Sequence, residues 1–363
     1  LDATVTTGTA GKLEFRQGGT ASGTINAGNG TFNISADYKV DGTLITNSGT
    51  TWELGDAQTQ ADLDLSGGAL VLGGNVVLDN VITNNQTRFE LVEDATVTRN
   101  AGFTLGGLNF ANNTFTLGSA TTDLTLEFNN SSSSGSSTGS PPGTFETAAA
   151  DFTVISADAV DITTGTTITS TGGNFSFAKG IKMNGAAISL QNTILTVGSS
   201  LTKTGGTLTL NQADLELASD LTLSSDAAMA FDSFIPNARN LELASTSTAE
   251  VSLGNLNLPS SSVDVKGGSL NINGGSVGAN GEIEIGGSGG LSLEGNLAVT
   301  GTLNLNDGAS NSYAGNKIDV SGGTLELAGT HSLNSITTNA QTKLKINNSA
   351  NISRTDSGFN NFS

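Results

Sequence analysis

Short triplets, in which two apolar residues flank one other residue, recur along nearly the whole chain. They are separated by glycine, asparagine, serine and aspartate. Alternation with a period of two is typical of a β-strand that buries one face, so each triplet predicts a very short strand. Examples of the triplets are Leu13-Glu14-Phe15, Leu63-Asp64-Leu65, Phe103-Thr104-Leu105, Leu221-Thr222-Leu223, Leu270-Asn271-Ile272, Ile283-Glu284-Ile285, Leu303-Asn304-Leu305 and Leu325-Glu326-Leu327.

A longer period of about 20 residues is superimposed on the triplets. Leu201, Leu221 and Leu241 stand at this interval, and Phe32 and Trp52 repeat it. Successive triplets begin closer together than the 8–12 residues that separate hairpin strands in a β-sandwich. Three short strands in each period predict an all-β chain that forms a right-handed parallel β-helix, a β-solenoid with like residues stacked from coil to coil. At about 20 residues a coil, some 340 repeat residues make about 17 coils.

Pairs of glycines stand immediately before several triplets, as in Gly67-Gly68 and Gly322-Gly323. A solenoid corner must turn sharply and often needs a positive φ, which glycine adopts at little steric cost. The glycine pairs therefore predict corners. Helix has little support, because the best candidate, at residues 147–151, is only about one turn long.

A composition break interrupts the predicted coils. Residues 129–143 read NNSSSSGSSTGSPPG, which is typical of a flexible low-complexity segment. It is either a loop extruded from one coil or a linker between solenoid coils at residues 1–128 and 144–346. The loop is favoured because both flanks keep the same repeat style. The polar residues 347–363 predict a C-terminal cap or docking segment.

The charge balance excludes several classes of partner. Fourteen basic and 33 acidic residues give a net charge of −19, so we expect no nucleic-acid partner. No stretch approaches the roughly 18 consecutive apolar residues of a membrane helix, so we expect no membrane insertion. The absence of cysteine excludes disulfides and thiol chemistry. The chain begins at Leu1 without a signal segment, so we expect a mature or excised piece.

Catalytic chemistry is scarce in the sequence. In the alternating acidic pairs the apolar neighbours take the inward face, so the acids are predicted to face solvent. His331 is the single histidine, and we predict a corner or surface role for it. We therefore assign no catalytic, cofactor-binding or metal-ligating residues. Calcium is the one cofactor kept open, because carboxylate and carbonyl oxygens are abundant, although no known calcium-loop motif is present. The acidic pairs are Asp62 with Asp64, Glu93 with Asp94, Asp214 with Glu216, and Glu282 with Glu284.

Aromatic residues follow the same alternation. Phe175 and Phe177 are predicted to be stacked core residues. Trp52 fits the strand register of Phe32, which favours a core position over a platform for stacking a sugar ring.

The Gly-Gly-Thr-Leu-x-Leu style, the interval of about 20 residues and the Asn, Ser and Thr corners resemble the extracellular β-helices of bacterial filamentous-haemagglutinin-like adhesins and autotransporter passenger regions. The resemblance is one of repeat style and covers most of the chain. It implies an extracellular or cell-surface, non-enzymatic protein with a role in adhesion, autoaggregation or biofilm structure. The chain departs from those families because it has no recognisable secretion domain and no membrane-anchoring segment. Either those parts are missing or the export route differs.

Two functional hypotheses from different classes follow. The first is a structural protein that self-associates, head-to-tail or laterally, into a surface or matrix filament, or that serves as a monomeric adhesin stalk with cell-surface glycans as partners. The second is a polysaccharide-cleaving β-helix enzyme with a shallow acidic groove. No basic, histidine or aromatic residues concentrate at one position of consecutive coils, which favours the first. Unprotected strand edges favour the polymer over the stalk, and residues 1–19 and 343–363 are the predicted subunit contacts.

Overall fold

The described part of the chain is built from β-strands. The computed structural model describes residues 4–6, 11–46, 50–54, 62–118, 122–127, 144–147, 149–155, 159–306, 310–312, 317–332 and 334–353. Over these residues it contains strands β1 to β41 and no helix.

The strands are mostly short, and both halves of the chain also contain strands of nine residues or more. The first 21 are β1 Val5–Thr6, β2 Lys12–Phe15, β3 Gly19–Ala21, β4 Thr24–Gly28, β5 Thr31–Ile34, β6 Tyr38–Val40, β7 Thr43–Thr46, β8 Thr51–Leu54, β9 Leu63–Asp64, β10 Ala69–Val77, β11 Val81–Ile82, β12 Arg88–Thr98, β13 Phe103–Leu105, β14 Gly107–Asn109, β15 Thr114–Leu117, β16 Leu124–Glu127, β17 Thr144–Thr147, β18 Phe152–Ile155, β19 Val160–Thr163, β20 Thr167–Ser170 and β21 Asn174–Phe177. The others are β22 Ile181–Asn184, β23 Ala187–Gln191, β24 Ile194–Thr204, β25 Thr207–Asn211, β26 Asp214–Ser225, β27 Met229–Ile235, β28 Leu241–Leu243, β29 Glu250–Leu258, β30 Ser262–Val265, β31 Ser269–Ile272, β32 Gly274–Val277, β33 Glu282–Ile285, β34 Gly290–Leu293, β35 Leu297–Val299, β36 Thr302–Leu305, β37 Ser310–Ser312, β38 Ile318–Asp319, β39 Thr324–Ser332, β40 Ile336–Thr337 and β41 Lys343–Ser353.

The strands stack in parallel as a β-solenoid of about 14 turns, with about 20 residues in each turn. This confirms the predicted fold class. The chain divides into two compact units: unit 1 is Leu1–Lys179 with Asn184–Thr193, and unit 2 is Gly180–Met183 with Ile194–Ser363. The low-complexity segment 129–143 lies outside the described residues, so the choice between loop and linker stays a prediction.

Register in unit 1 explains why the turns number about 14 rather than the predicted 17. Val5 pairs with Ile25 and Ile25 pairs with Leu44, which matches the predicted interval. Leu44 then pairs with Leu70, a clearly longer step. Farther along the same unit β15 pairs with β17, where Thr114 faces Thr144 and the step is longer still. Such extra residues lengthen single turns, so fewer turns fit in the chain than a uniform period predicts.

Register in unit 2 is more regular. Leu241 pairs with Val263, Val263 with Ile283, and Ile283 with Leu303, so each turn advances by nearly the same length of chain. Leu303 then pairs with Leu325. All five side chains are buried, so they form one continuous inward row.

Several turns carry one long strand that bends where other turns have two short strands. In β10 and in β39 the pairing register shifts at Leu72/Gly74 and at Leu327/Gly329. Gly74 has φ 71° and Gly329 has φ 87°, the left-handed conformation that glycine adopts without strain. Each bend is therefore a bulge that carries the backbone pairing through the corner.

Phenylalanines fill part of the core of unit 1. The Phe145 ring lies 5.9 Å from the Phe115 ring and 4.8 Å from the Phe152 ring, measured between centroids. Phe152 in turn lies 5.2 Å from Phe175 and 6.0 Å from Phe177. All five are buried, which confirms the predicted core positions of Phe175 and Phe177. Such aromatic pairs contribute about 0.5–1.5 kcal/mol each beyond their buried area.

One corner sequence, Asn-x-Gln-Thr, occurs in both units and ends at Thr87 in unit 1 and at Thr342 in unit 2. The buried Thr87 hydroxyl donates to the carbonyl of Leu65 on the preceding turn, at 2.8 Å. Thr342 donates in the same way to the carbonyl of Val320, at 2.9 Å. The buried threonine thus adds a second donor to a carbonyl that also accepts a backbone N–H within its own corner, from Gly68 to Leu65 and from Gly323 to Val320.

We expect Thr342→Val to lower the free energy of unfolding by about 1 kcal/mol, because the shape is kept while the Val320 carbonyl loses one of its two donors and keeps the N–H of Gly323. Thr342→Ser keeps the hydroxyl and is the matched control. Chemical denaturation of the three proteins measures the difference. Equal stability of the Val variant and the wild type would contradict this role.

Candidate functional site

The first described turn of unit 1 leaves its apolar side chains half-open. Leu13 and Phe15 on β2 are half-buried. Their register partners one turn further on, Phe32 and Ile34, are fully buried. β1, β2 and β3 are each the end strand of a sheet. The inward row is therefore incompletely covered at this turn.

The last described turn of unit 2 shows the same contrast. Leu344 is half-buried, and Ile346 and Ile352 are 45% and 36% exposed. Leu325 and Leu327, the partners of Leu344 and Ile346 one turn earlier, are fully buried. β41 is 11 residues long and is the last strand in its sheet order. We call Leu13, Phe15, Leu344, Ile346 and Ile352 the open-end residues.

A strand at the end of a sheet offers backbone N–H and C=O groups to another strand, and lysine at such an edge usually discourages pairing. On β41 the Lys345 ammonium is directed to the preceding turn, with its Nζ 2.8 Å from Oε2 of Glu326. This hydrogen bond lowers the pKa of the Glu326 carboxyl. The last turn thus combines an edge strand and open apolar side chains with a lysine that is held against its own solenoid.

A row of acidic side chains runs along unit 2, and its members are Glu242, Asp264, Glu282, Glu284 and Glu326; we call this row the acidic face. Glu242, Asp264 and Glu284 are consecutive register partners on β28, β30 and β33. Each alternates with buried apolar residues, so the carboxylates point away from the core. The row is therefore built by the strand alternation itself.

Ion pairs neutralise only part of the acidic face. Nζ of Lys266 lies 2.6 Å from Oε2 of Glu242 and 3.3 Å from Oδ2 of Asp264, and these contacts raise the pKa of the Lys266 ammonium. For Glu282, burial raises the pKa of the carboxyl, and the negative charges of Glu284, Glu326 and Asp264 raise it further, against a smaller opposing effect of Lys345. The centre of the row therefore carries uncompensated negative charge.

A groove of about 280 Å³ runs along part of the acidic face, lined by Glu242 and Asp264 together with Asp220, Asn240 and Ser262. Oδ1 of Asp220 accepts from the N–H of Asn240, and Oδ1 of Asn240 accepts from the N–H of Ser262. Small-molecule pockets usually enclose about 300–1,000 Å³ with a few convergent polar groups. In this groove the side-chain oxygens of Asp220 and Asn240 already accept hydrogen bonds from the backbone of the next turn.

Several carboxylates of the acidic pairs singled out in the sequence accept hydrogen bonds from neighbouring residues. Oδ1 of Asp64 accepts from the N–H of Ser66, so this carboxylate closes a corner. Oδ1 of Asp94 accepts from the N–H of Thr114 one turn on. Both residues therefore act in turn-to-turn or corner hydrogen bonds.

The pair on β26 is engaged in the same way. Oε2 of Glu216 accepts from the Thr196 hydroxyl at 2.7 Å, and its Oε1 accepts from Nδ2 of Asn237 at 2.9 Å. Asp214, which shares this strand face, is half-buried. Of the four pairs, only Glu282 with Glu284 belongs to the acidic face.

His331 differs from its predicted place at a corner or on the surface. It lies buried on β39, where Nε2 is 2.7 Å from the carbonyl of Ala328. It faces inward because it continues the strand after the bend at Gly329. The backbone of Trp52 pairs in register with Phe32 as predicted, while the predicted core or sugar-stacking role of its side chain is outside the described residues.

Two features of unit 2 escaped the sequence analysis. Lys203 is buried and pairs with Asp226, with 3.1 Å between Nζ and Oδ1. Its inward position was readable from its alternation with the inward Leu201. Asn304 is also buried although it alternates with inward leucines, and its sequence position carries no signal for this.

No protein-family model matches this chain, and neither a curated protein nor a solved structure matches it. Within the described ranges no helix has the length and hydrophobicity needed to cross a membrane. Among the same residues no three His, Asp or Glu side chains form a group that could hold a metal ion. The likeness to adhesins consequently belongs with the proposal that follows.

Proposed function

We propose that this protein is a non-enzymatic structural β-solenoid that self-associates end to end into a filament, at the cell surface or in an extracellular matrix, with an adhesive or biofilm role. The observation that carries the proposal is the contrast at the two terminal turns. Open-end residues there are half-buried or exposed, whereas their register partners one turn inward are buried. A second copy is the occupant whose turn has the matching strand spacing and apolar row.

The magnitudes fit a reversible assembly. Fully burying one large apolar side chain contributes about 1.5–3 kcal/mol, and the five open-end residues are already partly covered. New strand pairing along β41 adds about 0.5–1.5 kcal/mol for each hydrogen bond. Association costs about 4–15 kcal/mol in lost motional freedom. These opposing terms are of similar size, so we expect assembly to depend strongly on protein concentration.

The polar surface supports a structural role more than a catalytic one. The oxygens of Asp64, Asp94 and Glu216 are engaged in corner and turn-to-turn hydrogen bonds. The groove along the acidic face, at about 280 Å³, is at the lower limit of small-molecule pockets. The exported location and the adhesive role rest on the repeat style, which resembles that of bacterial surface adhesins.

Ile346→Arg combined with Ile352→Arg is expected to abolish filaments, because two cations would be placed in the contact between copies. Asn351→Arg adds a cation to an exposed position of the same strand and is the matched control. Negative-stain electron microscopy and sedimentation velocity over a concentration series measure filament length and mass.

Filaments in the wild type and the control but not in the double variant would support the proposal. A wild type that stays monomeric at every concentration would contradict it and favour the monomeric stalk. Filaments that persist in the double variant would place the contact elsewhere. Circular dichroism of each protein verifies that the strand content is unchanged.

A further inference from the structure

Asn304 interrupts the acidic face between Glu284 and Glu326. It lies on β36, and its register partners are Glu284 on the preceding turn and Glu326 on the following turn. The flanking Leu303 and Leu305 are buried in the core. The Asn304 side chain is therefore on the same outward row as the two glutamates.

The amide oxygen of Asn304 is buried without a partner. The residue is only 9% exposed, and its Oδ1 accepts no hydrogen bond from any described residue. A buried polar atom left unsatisfied costs about 1–3 kcal/mol. An exception of this kind in a folded protein calls for an explanation such as a bound ion.

The two neighbouring carboxylates each keep one oxygen available. Oε1 of Glu284 accepts from Nδ2 of Asn306 at 2.6 Å, and Oε2 of Glu326 accepts from Lys345 and from Asn347. Over the described residues, the other oxygen of each glutamate accepts no hydrogen bond. Three oxygens, one from each of three consecutive turns, thus lie along one row without a donor.

The surrounding charge favours a cation at this place. Glu282, on the same strand as Glu284, is half-buried and forms no ion pair with any described residue. The carboxylates of Glu282, Glu284 and Glu326 occupy nearby positions of the row, and the ammonium of Lys345 is ion-paired to Glu326, which leaves a local excess of negative charge. A bound cation would relieve that excess.

We propose that Asn304 Oδ1, with the carboxylates of Glu284 and Glu326, binds a calcium ion on the acidic face of unit 2. Calcium accepts carboxylate and amide oxygens together with water, in flexible coordination. Magnesium demands near-ideal octahedral geometry and keeps most of its water, which an open row of side chains does not provide. Two carboxylates give a weak site, of the class with dissociation constants of about 10⁻⁴–10⁻³ M. This inference does not depend on filament formation.

The test measures calcium binding to the full chain in two ways, by isothermal titration calorimetry and by the shift of the thermal unfolding midpoint. Calcium chloride and magnesium chloride are compared at equal ionic strength. Glu284→Gln and Glu326→Gln are expected to weaken calcium binding at least about tenfold, because each removes a ligand charge. Asn304→Asp is expected to tighten it about tenfold by adding a third charge. Glu242→Gln, on the same face but ion-paired to Lys266, is the matched control and is expected to leave binding unchanged.

Several outcomes would overturn the site. The wild type could show neither calcium-dependent heat nor a shift of the unfolding midpoint. That result would overturn the site even if Asn304→Asp bound calcium. An equal effect of magnesium would show charge screening of an acidic surface. Equal weakening by Glu242→Gln would show diffuse attraction to the whole row. Because Asn304→Asp is expected to gain affinity, a folding defect in the glutamine variants cannot account for the full pattern.

Discussion

Leu221→Asp is expected to lower the stability of unit 2 by roughly 5 kcal/mol, which is near the upper end for a single substitution. Leu221 on β26 is buried, and so is its register partner Leu241. Truncating a core leucine costs about 2–5 kcal/mol, and burying a polar group without a partner adds about 1–3 kcal/mol. The expected result, measured by chemical denaturation, is an unfolding transition at a lower denaturant concentration than in the wild type.

Two further observations distinguish a buried carboxyl group from general damage. An unpaired buried carboxyl has a raised pKa, so its neutral form is favoured and the destabilisation should shrink as the pH falls toward 4. Because each solenoid turn contacts mainly its neighbours, proteolytic cleavage should begin near residues 201–263. Thr222→Asp adds the same charge one residue away at an exposed position and is the control. Equal losses in the two variants would contradict the assigned strand orientation.

The repeat architecture was predictable because it depends on local alternation and on a fixed interval. Leu303 and Leu325 stand at inward positions of successive turns, as their triplets indicated. Positive φ values at Gly67 and Gly322 confirm that glycine pairs mark corners. The turn count was not predictable from the interval alone, because a step such as that from Leu44 to Leu70 is longer than the interval.

The candidate sites were harder to predict from the sequence than the fold. Asn304 is buried although it alternates with inward leucines, so the alternation pattern of its strand does not contain that information. His331 became a core residue because the strand continues beyond the bend at Gly329. The open-end residues Ile346 and Ile352 obey the inward alternation, and only the three-dimensional stacking shows that they lie on the last described turn.

Asp226→Asn is expected to be the other large single effect, at roughly 2–3 kcal/mol, because it leaves a buried ammonium without its counter-charge. Lys203 is 4% exposed, and its Nζ also donates to the carbonyl of Gly205 at 3.1 Å. The expected loss is below the 3–5 kcal/mol typical of a fully buried pair, since the Asp226 side chain is 46% exposed and solvent screens it. Lys203→Met combined with Asp226→Asn removes both charges, keeps an apolar stem in the core, and should recover most of the stability.

The stability that the pair of Lys203 and Asp226 contributes depends on pH. Hydrogen bonds from the N–H of Gly205 and from Lys203 lower the pKa of the Asp226 carboxyl below its ordinary value. Unfolded chains titrate this group near about 3.9, so its stabilising contribution is complete above that pH and is lost as the pH falls through the lower folded value. Urea denaturation at pH 7 and pH 3 should therefore show a gap between the wild type and Asp226→Asn that narrows at pH 3. A gap of the same size at both values would mean that the loss comes from the changed Gly205 corner and not from the charge of Lys203.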